Sequence, residues 1–340
     1  MPGTILVTGG LGYIGSHTCL ALAEAGYALV IVDNLSNAKP AVFERLRELA
    51  PGAAIEFHRA DLRDAAALQR AFAARPIEAV IHFAGLKAVG ESVEKPTLYY
   101  DNNVGGTLGL LAAIQRHGVR RFIFSSSATV YGEPERLPLT EDHPLAPQNP
   151  YGRTKLVIEM LLADHAAATP GFAHATLRYF NPIGAHPSGH IGEDPRGIPN
   201  NLVPYVTQVA VGRLPRLRVF GKDYSTPDGT GVRDYLHVID LAAGHIAALR
   251  YLEQKKGSIV ANLGTGRGYS VLEVVKAFEG ATGHPIPLEF QPRRPGDVAA
   301  CYADAALAAR ELGWRAARGI DEMCRDAWRW QSQNPGGYPG

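Results

Sequence analysis

The sequence predicts an α/β fold, with a doubly wound parallel sheet and a smaller, irregular C-terminal lobe. Three observations support this: apolar runs alternate with helical patterns, the first run leads into a glycine-rich turn, and Gly and Pro become frequent after residue 180. The apolar runs cover 5–8, 28–32, 55–58, 79–83, 121–125 and 175–180. Helical patterns between them include 65–74 and 108–117. Such alternation is typical of βα units with right-handed crossovers.

Composition narrows the class of protein. The 340 residues include 34 Lys and Arg against 33 acidic residues, so no strong field favours nucleic acid or an anionic membrane. The three cysteines, Cys19, Cys301 and Cys324, form no Cys-x-x-Cys pair, which favours free thiols over disulfides or a metal site. The sequence shows no charged leader and no apolar run of about 20 residues. We expect a soluble, cytoplasmic protein without a bound metal.

The glycine-rich turn places Gly9, Gly12 and Gly15 between the first apolar run and a helical pattern. These three glycines fit one spacing of the dinucleotide-binding motif, and Gly10, Gly12 and Gly15 fit a stricter form of it. Without β-carbons the chain can turn tightly and a pyrophosphate can approach the backbone, while the helix N-terminus offers free N–H donors. The strand before and the helix after are the context that this mechanism requires. The turn therefore predicts a dinucleotide site, the alternative being a strand–turn–helix corner without a ligand.

A carboxylate ends the second apolar run. Asp33 lies about 20 residues after the glycines, where a carboxylate can accept hydrogen bonds from the adenosine ribose. Asn34 follows it, and no arginine comes next to receive a 2′-phosphate. The sequence therefore favours NAD over NADP.

Tyr151 and Lys155 are four positions apart, so a helix would carry both on one face. A neighbouring ammonium favours the phenolate. To act as a base near pH 7, a phenol needs its pKa lowered by about 3 units, which corresponds to roughly 4 kcal/mol. Aromatic–Lys pairs at this spacing are common on ordinary helices, and Ser127 upstream could simply cap a strand. Together, however, the three residues indicate a group that removes a proton from an alcohol.

These motifs carry a family resemblance. The turn at 8–15, Ser127 and Tyr151-x-x-x-Lys155 resemble the extended short-chain dehydrogenase/reductase superfamily. Longer strings at 82–92, 125–132, 178–182 and 228–235 are similar to its UDP-glucose 4-epimerase family, and the likeness covers essentially the whole chain. The resemblance implies a Rossmann-type NAD-binding domain at 1–180 and a nucleotide-sugar lobe at 181–340, some segments of which return to the first domain. It also implies a homodimer formed through helices at 98–117 and 151–168.

The implied activity is NAD-dependent inversion of C4 of a UDP-hexose, UDP-glucose or UDP-galactose, through a transient 4-keto sugar. Tyr151 would be the base and then the acid. Lys155 would hold the nicotinamide ribose and stabilise the phenolate, and Ser127 would polarise the ketone. The cofactor would supply the hydride chemistry.

The resemblance also assigns the two ligand sites. The expected cofactor contacts are Gly9, Gly12, Tyr13, Ile14, Gly15, Asp33, Asn34, Asp61, Leu62, Phe83, Ala84, Gly85, Lys87, Asn102, Ser125, Tyr151, Lys155 and Tyr179. The expected substrate contacts are Lys87, Ser127, Tyr151, Tyr179, Asn181, Asn201, Leu202, Val219, Phe220, Arg233, Arg294, Asp297 and Cys301. An arginine fork suits a diphosphate, although surface ion pairs with Asp234 or Asp297 would explain these arginines equally well on composition alone.

Cys301 bears on the range of sugars. By resemblance, this position borders the sugar pocket, and a small residue there admits 2-N-acetyl sugars that a tyrosine excludes. We therefore expect UDP-N-acetylglucosamine and UDP-N-acetylgalactosamine to be substrates as well. A shift of one residue would put Tyr302 there instead, and Cys301 could also be an ordinary small buried residue.

Three rival functions remain. A nucleotide-sugar 4,6-dehydratase needs an Asp-Glu pair soon after the catalytic serine, where this chain has Ala128 and Thr129. Epimerases acting at other positions or on UDP-glucuronate match the strings less well. A non-catalytic dinucleotide sensor typically loses the active tyrosine, which this chain retains.

Overall fold

The computed structural model describes residues 3–254, 257–294 and 296–339. Its strands are β1 Thr4–Thr8, β2 Ala28–Asp33, β3 Ile55–Arg59, β4 Ile77–His82, β5 Arg121–Ser127, β6 Ala173–Tyr179, β7 Asn181–Ile183, β8 Leu217–Phe220, β9 Val232–His237, β10 Ile259–Leu263, β11 Gly268–Ser270, β12 Leu288–Gln291 and β13 Ala300–Cys301. Its α-helices are α1 Tyr13–Glu24, α2 Ala41–Leu49, α3 Ala65–Ala73, α4 Val89–Glu94, α5 Pro96–Tyr99, α6 Gly106–His117, α7 Pro150–Ala168, α8 Leu202–Ala210, α9 Val238–Gln254, α10 Val271–Thr282 and α11 Ile320–Gln333. Short π-helical segments lie at Tyr100–Gly105 and Ala308–Leu312, and a 3₁₀ turn lies at Ala128–Val130.

Seven parallel strands form the main sheet, in the order β10-β6-β5-β4-β1-β2-β3. From β1 the chain builds outward through β2 and β3, then returns to β4 on the other side of β1. The order of strands therefore reverses between β1 and β4, and ligands of doubly wound sheets bind beyond the carboxyl ends of the strands at such a point. This arrangement confirms the predicted α/β fold.

The main sheet is covered on both faces. Ile5, Val7 and Ile31 project into one core, shared with α1 and α9, while Leu6 and Val30 project into a second core, shared with α3, α6 and α7. Alternating residues of one strand thus serve opposite cores. Because central parallel strands are buried on both faces, their sequences read as continuous apolar runs, which made β1, β2, β4, β5 and β6 recognisable. The edge strand β3 is only partly buried, and its apolar residues Ile55 and Phe57 alternate with polar ones.

The seventh strand, β10, was not individually predicted. It pairs with β6 although it follows the irregular region after residue 180. Its preceding helix α9 packs against α1, β5 and β6. The long intervening segment hides the βα alternation in the sequence. The domain boundary at residue 180 remains a prediction.

The rest of the C-terminal half forms two small sheets. Strand β9 pairs with β7, β11 and β13, and β8 pairs with β12. Helices α8, α10 and α11 pack around them in a further apolar core. The described part of the chain contains no helix long and apolar enough to cross a membrane.

Candidate active site

The glycine-rich turn connects β1 to α1 at the point where the strand order reverses. Gly9 has φ +67°, and a β-carbon there would lie 2.7 Å from the Ala84 amide nitrogen. A β-carbon on Gly15 would lie 2.2 Å from the Gly9 carbonyl oxygen. Only glycine fits these two positions, because the backbones of the turn, the helix and the loop after β4 approach so closely.

Helix α1 begins with free backbone donors. Its N-cap residue is Gly12, which has no side chain to cap the first N–H groups, including those of Ile14 and Gly15. Tyr13 directs its hydroxyl away from this end and donates to the Gly184 carbonyl oxygen at 2.7 Å. Burial raises the pKa of Tyr13 well above its usual value. Tyr13 and Ile14 therefore offer main-chain groups to an anion, and the Tyr13 side chain joins the two halves of the chain.

Asp33, at the end of β2, is buried and already has two partners. Its carboxylate accepts from the Leu11 amide at 3.2 Å and from the Leu35 amide at 2.8 Å. Burial raises its pKa, and these two hydrogen bonds act in the opposite direction. The carboxylate thus fixes the glycine-rich turn, and it retains lone pairs for a further donor.

The ends of β2 and β3 are joined by side chains. Asn34 donates to Asp61 Oδ2 at 3.0 Å, and Arg63 Nε donates to Asp61 Oδ1 at 2.8 Å. Arg63 also lies 2.5 Å from Asp101. The Arg63 hydrogen bonds hold the pKa of Asp61 well below its usual range. Leu62 beside them is buried. Sequence analysis missed Arg63, whose signal was its place two residues after Asp61.

A buried asparagine organises the loop after β4. Asn103 Oδ1 accepts from the Leu86 amide at 2.8 Å, while its Nδ2 donates to the Leu86 carbonyl at 3.0 Å and to Thr154 Oγ1 at 3.1 Å. It therefore ties residues 83–87 to α7. Asn102, the predicted cofactor contact, donates to Asn103 Oδ1 at 2.9 Å. Sequence analysis missed Asn103 because two adjacent asparagines could not be ranked before the helical phase was known.

Two other residues of this loop contact the C-terminal half. The Phe83 ring centre lies 4.8 Å from that of His245, a buried residue of α9. Lys87 Nζ lies 3.2 Å from Glu193 Oε1, and that oxygen also accepts from Asn201 Nδ2 at 3.2 Å. One predicted cofactor residue and one predicted substrate residue therefore share a carboxylate that sequence analysis did not identify.

Ser127 and Tyr151 meet at the carboxyl edge of the sheet. Ser127 ends β5 and accepts from the Thr129 amide at 3.2 Å and from Thr129 Oγ1 at 3.0 Å. Tyr151 lies in the first turn of α7, which Asn149 caps by accepting from the Gly152 amide at 2.9 Å. The Ser127 side chain acts on Tyr151, whose pKa it lowers. Lys155, one turn along α7, completes the predicted trio.

The pKa of Tyr151 shifts in the direction opposite to the one predicted. Burial raises the pKa of Tyr151, and its hydrogen bond to Ser127 only partly opposes this. Lys155 Nζ donates to the Ser125 carbonyl oxygen at 2.6 Å and lies 5.8 Å from the centre of the Tyr151 ring. Burial lowers the pKa of Lys155 to about 8, with the Glu159 carboxylate opposing that change. The pKa of Tyr151 is therefore raised and not lowered as predicted, because burial dominates and Lys155 is held by a carbonyl oxygen.

Tyr179 is more deeply buried than expected. It ends β6, and its hydroxyl is hydrogen-bonded to His245 Nε2. His245 Nδ1 lies 2.8 Å from the Leu241 carbonyl oxygen, which fixes Nδ1 as the protonated nitrogen and Nε2 as the acceptor. The Tyr179 ring packs within the core on the α9 side of the sheet. Its polar group is therefore already committed to a protein partner.

The predicted diphosphate residues lie in the small sheets. Arg233 Nη2 is 3.5 Å from Asp297 Oδ1, and the Arg294 guanidinium lies 3.8 Å from the centre of the Phe220 ring. Asn181 is exposed at the start of β7, and Leu202 begins α8. The Val219 side chain is fully buried in the C-terminal core, so the predicted substrate contact would have to come from its main chain. Strand alternation turns Phe220 to the other side.

Cys301 and Tyr302 lie on opposite sides of the chain. Cys301 pairs in register with Arg233 and packs against a small apolar cluster that contains Phe180 and against which Ala128, the neighbour of Ser127, also packs. The Tyr302 ring instead lies against Gly268. Burial raises the pKa of the Cys301 thiol to about 11. The small residue therefore faces the side on which the Ser127 turn lies.

No group of three or more His, Cys, Asp or Glu side chains among the described residues is arranged to hold a metal ion.

Comparison with known proteins agrees with this geometry. The family model described as GDP-mannose 4,6-dehydratase matches residues 6–327. The UDP-glucose 4-epimerase of Bacillus subtilis is 59% identical over 334 residues, covering 98% of each chain.

Solved structures give the same result. The UDP-glucose 4-epimerase of Bifidobacterium longum, crystallised with NAD⁺ and UDP, superposes with a TM-score of 0.96 at 55% identity, covering 98% of this chain and 100% of that one. The UDP-Glc/GlcNAc 4-epimerase of Campylobacter jejuni superposes with a TM-score of 0.84 at 37% identity, covering 97% and 99%. The chain therefore belongs to the UDP-glucose 4-epimerase family of the extended short-chain dehydrogenase/reductase superfamily.

Proposed function

We propose that this chain is an NAD-dependent epimerase that inverts C4 of a UDP-hexose and so interconverts UDP-glucose and UDP-galactose. The observation that carries the proposal is the convergence of Ser127, Tyr151 and Lys155 at the carboxyl edge of the sheet that also carries the glycine-rich turn. The relatives from Bacillus subtilis and Bifidobacterium longum, which match 98% of the chain, are UDP-glucose 4-epimerases. The dehydratase alternative is disfavoured, because Ala128 and Thr129 offer no acid or base.

The residues present fit NAD. The turn at Gly9 and Gly15 has no room for β-carbons, and the Gly12 end of α1 presents free N–H groups, as a pyrophosphate requires. Asp33 keeps lone pairs for the adenosine ribose, and its buried charge disfavours a 2′-phosphate. Residues 83–87 and Ser125 would flank the nicotinamide half. Bound NAD would accept the C4 hydride and return it to the opposite face of the sugar ring.

Within this proposal, Tyr151 takes the proton of the C4 hydroxyl and later returns it. Ser127 donates a hydrogen bond to the same sugar oxygen and polarises it as the ketone forms. Lys155 stays cationic, contacts the nicotinamide ribose and favours the phenolate of Tyr151. Because burial raises the pKa of Tyr151, a positive charge close to the phenol is needed for the phenolate to form near neutral pH.

The nucleotide half of the substrate would lie along the small sheets. Arg233 is one-fifth exposed and pairs with Asp297 at the long distance of 3.5 Å, so a diphosphate can compete for its guanidinium. Arg294 covers Phe220, which offers an aromatic face to a uracil ring. Asn181, Asn201 and Leu202 would complete this part of the site.

We further propose that the enzyme accepts 2-N-acetyl sugars. Cys301 packs against the same apolar cluster as Ala128, which begins the 3₁₀ turn after Ser127, and a thiol leaves volume that a tyrosine would fill. The one-residue alternative is disfavoured because the Tyr302 ring lies against Gly268.

A homodimer is also proposed. Four apolar side chains on or beside α5, α6 and α7 are well exposed: Leu98, Tyr100, Leu108 and Met160. These helices cover the two segments expected to pair with a second copy, and helix faces of this kind are typical of subunit contacts.

Incubation with UDP-glucose, UDP-galactose and their N-acetyl counterparts, followed by chromatographic separation, tests both the activity and the sugar range. We expect conversion of all four substrates. A protein that binds NAD but converts none of them would be a dinucleotide sensor, and the proposed function would be wrong.

A further inference from the structure

We propose that Glu159 is a positioning residue for this reaction, which ties α7 to the strand that carries Ser127 and keeps Lys155 cationic. This inference rests on the proposed function. None of the expected ligand contacts includes Glu159, and it lies one helical turn beyond Lys155, away from Tyr151.

The Glu159 carboxylate is buried and fully engaged. Oε1 accepts from Ser126 Oγ at 2.5 Å and from Arg178 Nε at 3.1 Å, and Oε2 accepts from Arg178 Nη2 at 2.7 Å. Relative exposure is 8% for Glu159 and 4% for Arg178, so a bidentate ion pair is enclosed between α7, β5 and β6. Its three donors come from two adjacent strands, which fixes the position of the helix on the sheet.

The bonds to β5 place Glu159 in the same frame as the catalytic residues. Ser125 offers its carbonyl oxygen to Lys155, Ser126 donates its hydroxyl to Glu159, and Ser127 opposes the raised pKa of Tyr151. Three consecutive serines therefore act on three residues of α7 spaced by one turn each. Because neighbouring strand residues face opposite sides of the sheet, the Ser126 side chain reaches α7 whereas Ser125 reaches it through its main chain.

The network continues to the turn after Ser127. Arg178 Nη1 donates to the Tyr131 hydroxyl at 3.1 Å, and Tyr131 donates to Asn262 Oδ1 at 2.6 Å. Tyr131 follows the 3₁₀ turn that Ser127 begins. A change at Glu159 would therefore alter contacts of the chain both before Ser127, at Ser126, and after it, at Tyr131.

Glu159 is also the acidic group that acts on Lys155. The other groups facing Lys155 are Tyr151 on α7, Phe124 and the Ser125 carbonyl on β5, and His82 on β4. Burial and the Lys155 charge lower the pKa of His82 to about 3, so that ring is neutral. Arg178 on β6 carries the opposite charge to Glu159 but is bound to it. Loss of the carboxylate should therefore lower the pKa of Lys155 further.

The competing interpretation is that the Glu159–Arg178 ion pair affects only the stability of the fold and not the reaction. A direct titration of Lys155 separates the two. Lysine labelled with ¹³C at Cε would be followed by NMR across pH 6–11 in the cofactor-free protein, and Lys155→Met identifies the signal. Removing Glu159 alone would leave Arg178 buried and unpaired, so the variant to use is Glu159→Gln with Arg178→Met.

We expect this double variant to fold and to lower the Lys155 midpoint by about 1 unit. The matched control is Asp240→Asn with Arg318→Met, which removes another buried carboxylate and its arginine at a distance from the site. That control should leave the Lys155 midpoint unchanged. An unchanged midpoint in the Glu159 variant would overturn the electrostatic half of the proposal.

Ser126→Ala tests the tether separately, since it keeps both charges and is small enough to fold. We expect kcat for UDP-galactose to fall about tenfold, or 1.4 kcal/mol, with the Lys155 midpoint in place. A Ser126→Ala enzyme with normal kcat would overturn the tether. If the wild-type protein converts no UDP-sugar, the proposed function fails, whereas the Lys155 titration still decides the role of Glu159.

Discussion

Lys155 Nζ lies 2.6 Å from the carbonyl oxygen of Ser125, two residues before the serine that opposes the raised pKa of Tyr151. The end of β5 therefore acts on both members of the Tyr-Lys pair, on Lys155 through its main chain and on Tyr151 through a side chain. Because α7 is rigid over the turn between them, the separation of Tyr151 and Lys155 is set by the strand as much as by the helix. A site built on such elements is fixed before ligands arrive.

Tyr151→Phe tests the acid–base assignment. The change removes only the hydroxyl that meets Ser127, so the fold should be retained and epimerisation should fall by about 10²- to 10⁴-fold. Initial rates with UDP-galactose give the activity, and thermal unfolding with circular dichroism checks the fold. A folded variant with near-normal turnover would contradict the assignment.

Gly15→Ala tests the dinucleotide turn. The new methyl group would lie 2.2 Å from the Gly9 carbonyl oxygen, so the turn must shift, and NAD affinity should fall by at least about tenfold. Gly280→Ala is the matched control, because that glycine lies within α10 and nothing is within 4 Å of its added β-carbon. It should leave NAD affinity unchanged. Calorimetric titration of NAD into both variants makes the comparison.

Stability should fall in acid because histidines are buried in neutral form. Burial lowers the pKa of His174 to about 4 from its usual 6.5. Between these two pKa values the unfolded chain binds a proton at His174 and the folded chain does not. The contribution of neutral His174 to stability is therefore complete above about pH 6.5 and is lost as the pH falls through 4. A difference of about 2.5 units corresponds to about 3 kcal/mol.

Urea unfolding of His174→Gln at pH 7.5, 6 and 5 measures that contribution. The free energy of unfolding should decrease less steeply with falling pH than in the wild type. His284→Gln, at an exposed site, should keep the wild-type slope. Parallel pH profiles for His174→Gln and the wild type would show that this residue does not titrate as described.

The proposed dimer depends on exposed apolar side chains of α6 and α7. Leu108 is 50% exposed and Met160 is 60% exposed. Leu108→Glu with Met160→Glu should convert a dimer into a monomer, since a charge cannot be buried unpaired between two helices. Size-exclusion chromatography with light scattering measures the mass. Ile198→Glu, an equally exposed apolar site elsewhere, should remain dimeric.

Five of the first six strands could be predicted because strands buried on both faces give continuous apolar runs, and the edge strand β3 because Ile55 and Phe57 alternate with polar residues. Local motifs likewise identified Ser127, Tyr151 and Lys155, because strand and helix geometry brings them together. What the sequence could not supply are contacts between distant segments, such as Tyr179 with His245 or Arg178 with Glu159. The burial of Val219 was missed for the same reason, since the phase of a short strand depends on which core it faces.

Long-range packing also decides the effect of charge. The Tyr151–Lys155 spacing alone suggests a lowered pKa for the tyrosine. In the structure burial raises the pKa of Tyr151 instead, and the Ser125 carbonyl oxygen holds the Lys155 ammonium. Neither influence can be read from a four-residue spacing.

Cys301→Tyr tests the sugar range. The half-buried thiol packs against the apolar cluster that contains Phe180 and that Ala128 also contacts, so a tyrosine ring at this position would need additional space beside the Ser127 turn. A UDP-hexose has a hydroxyl where its N-acetyl counterpart carries a much larger acetamido group, and steric exclusion should therefore act on the latter. We expect Cys301→Tyr to reduce kcat/KM for UDP-N-acetylgalactosamine by at least about 10²-fold, or 2.7 kcal/mol, and to change that for UDP-galactose by less than about threefold.

Cys301→Ala is the matched control, because it removes the thiol without adding volume, and it should accept both sugars. Equal losses on both substrates in Cys301→Tyr would indicate general damage to the site. If the wild-type enzyme converts UDP-galactose but neither acetylated sugar, Cys301 does not set the sugar range, because the small side chain already present would then be insufficient to admit the acetamido group.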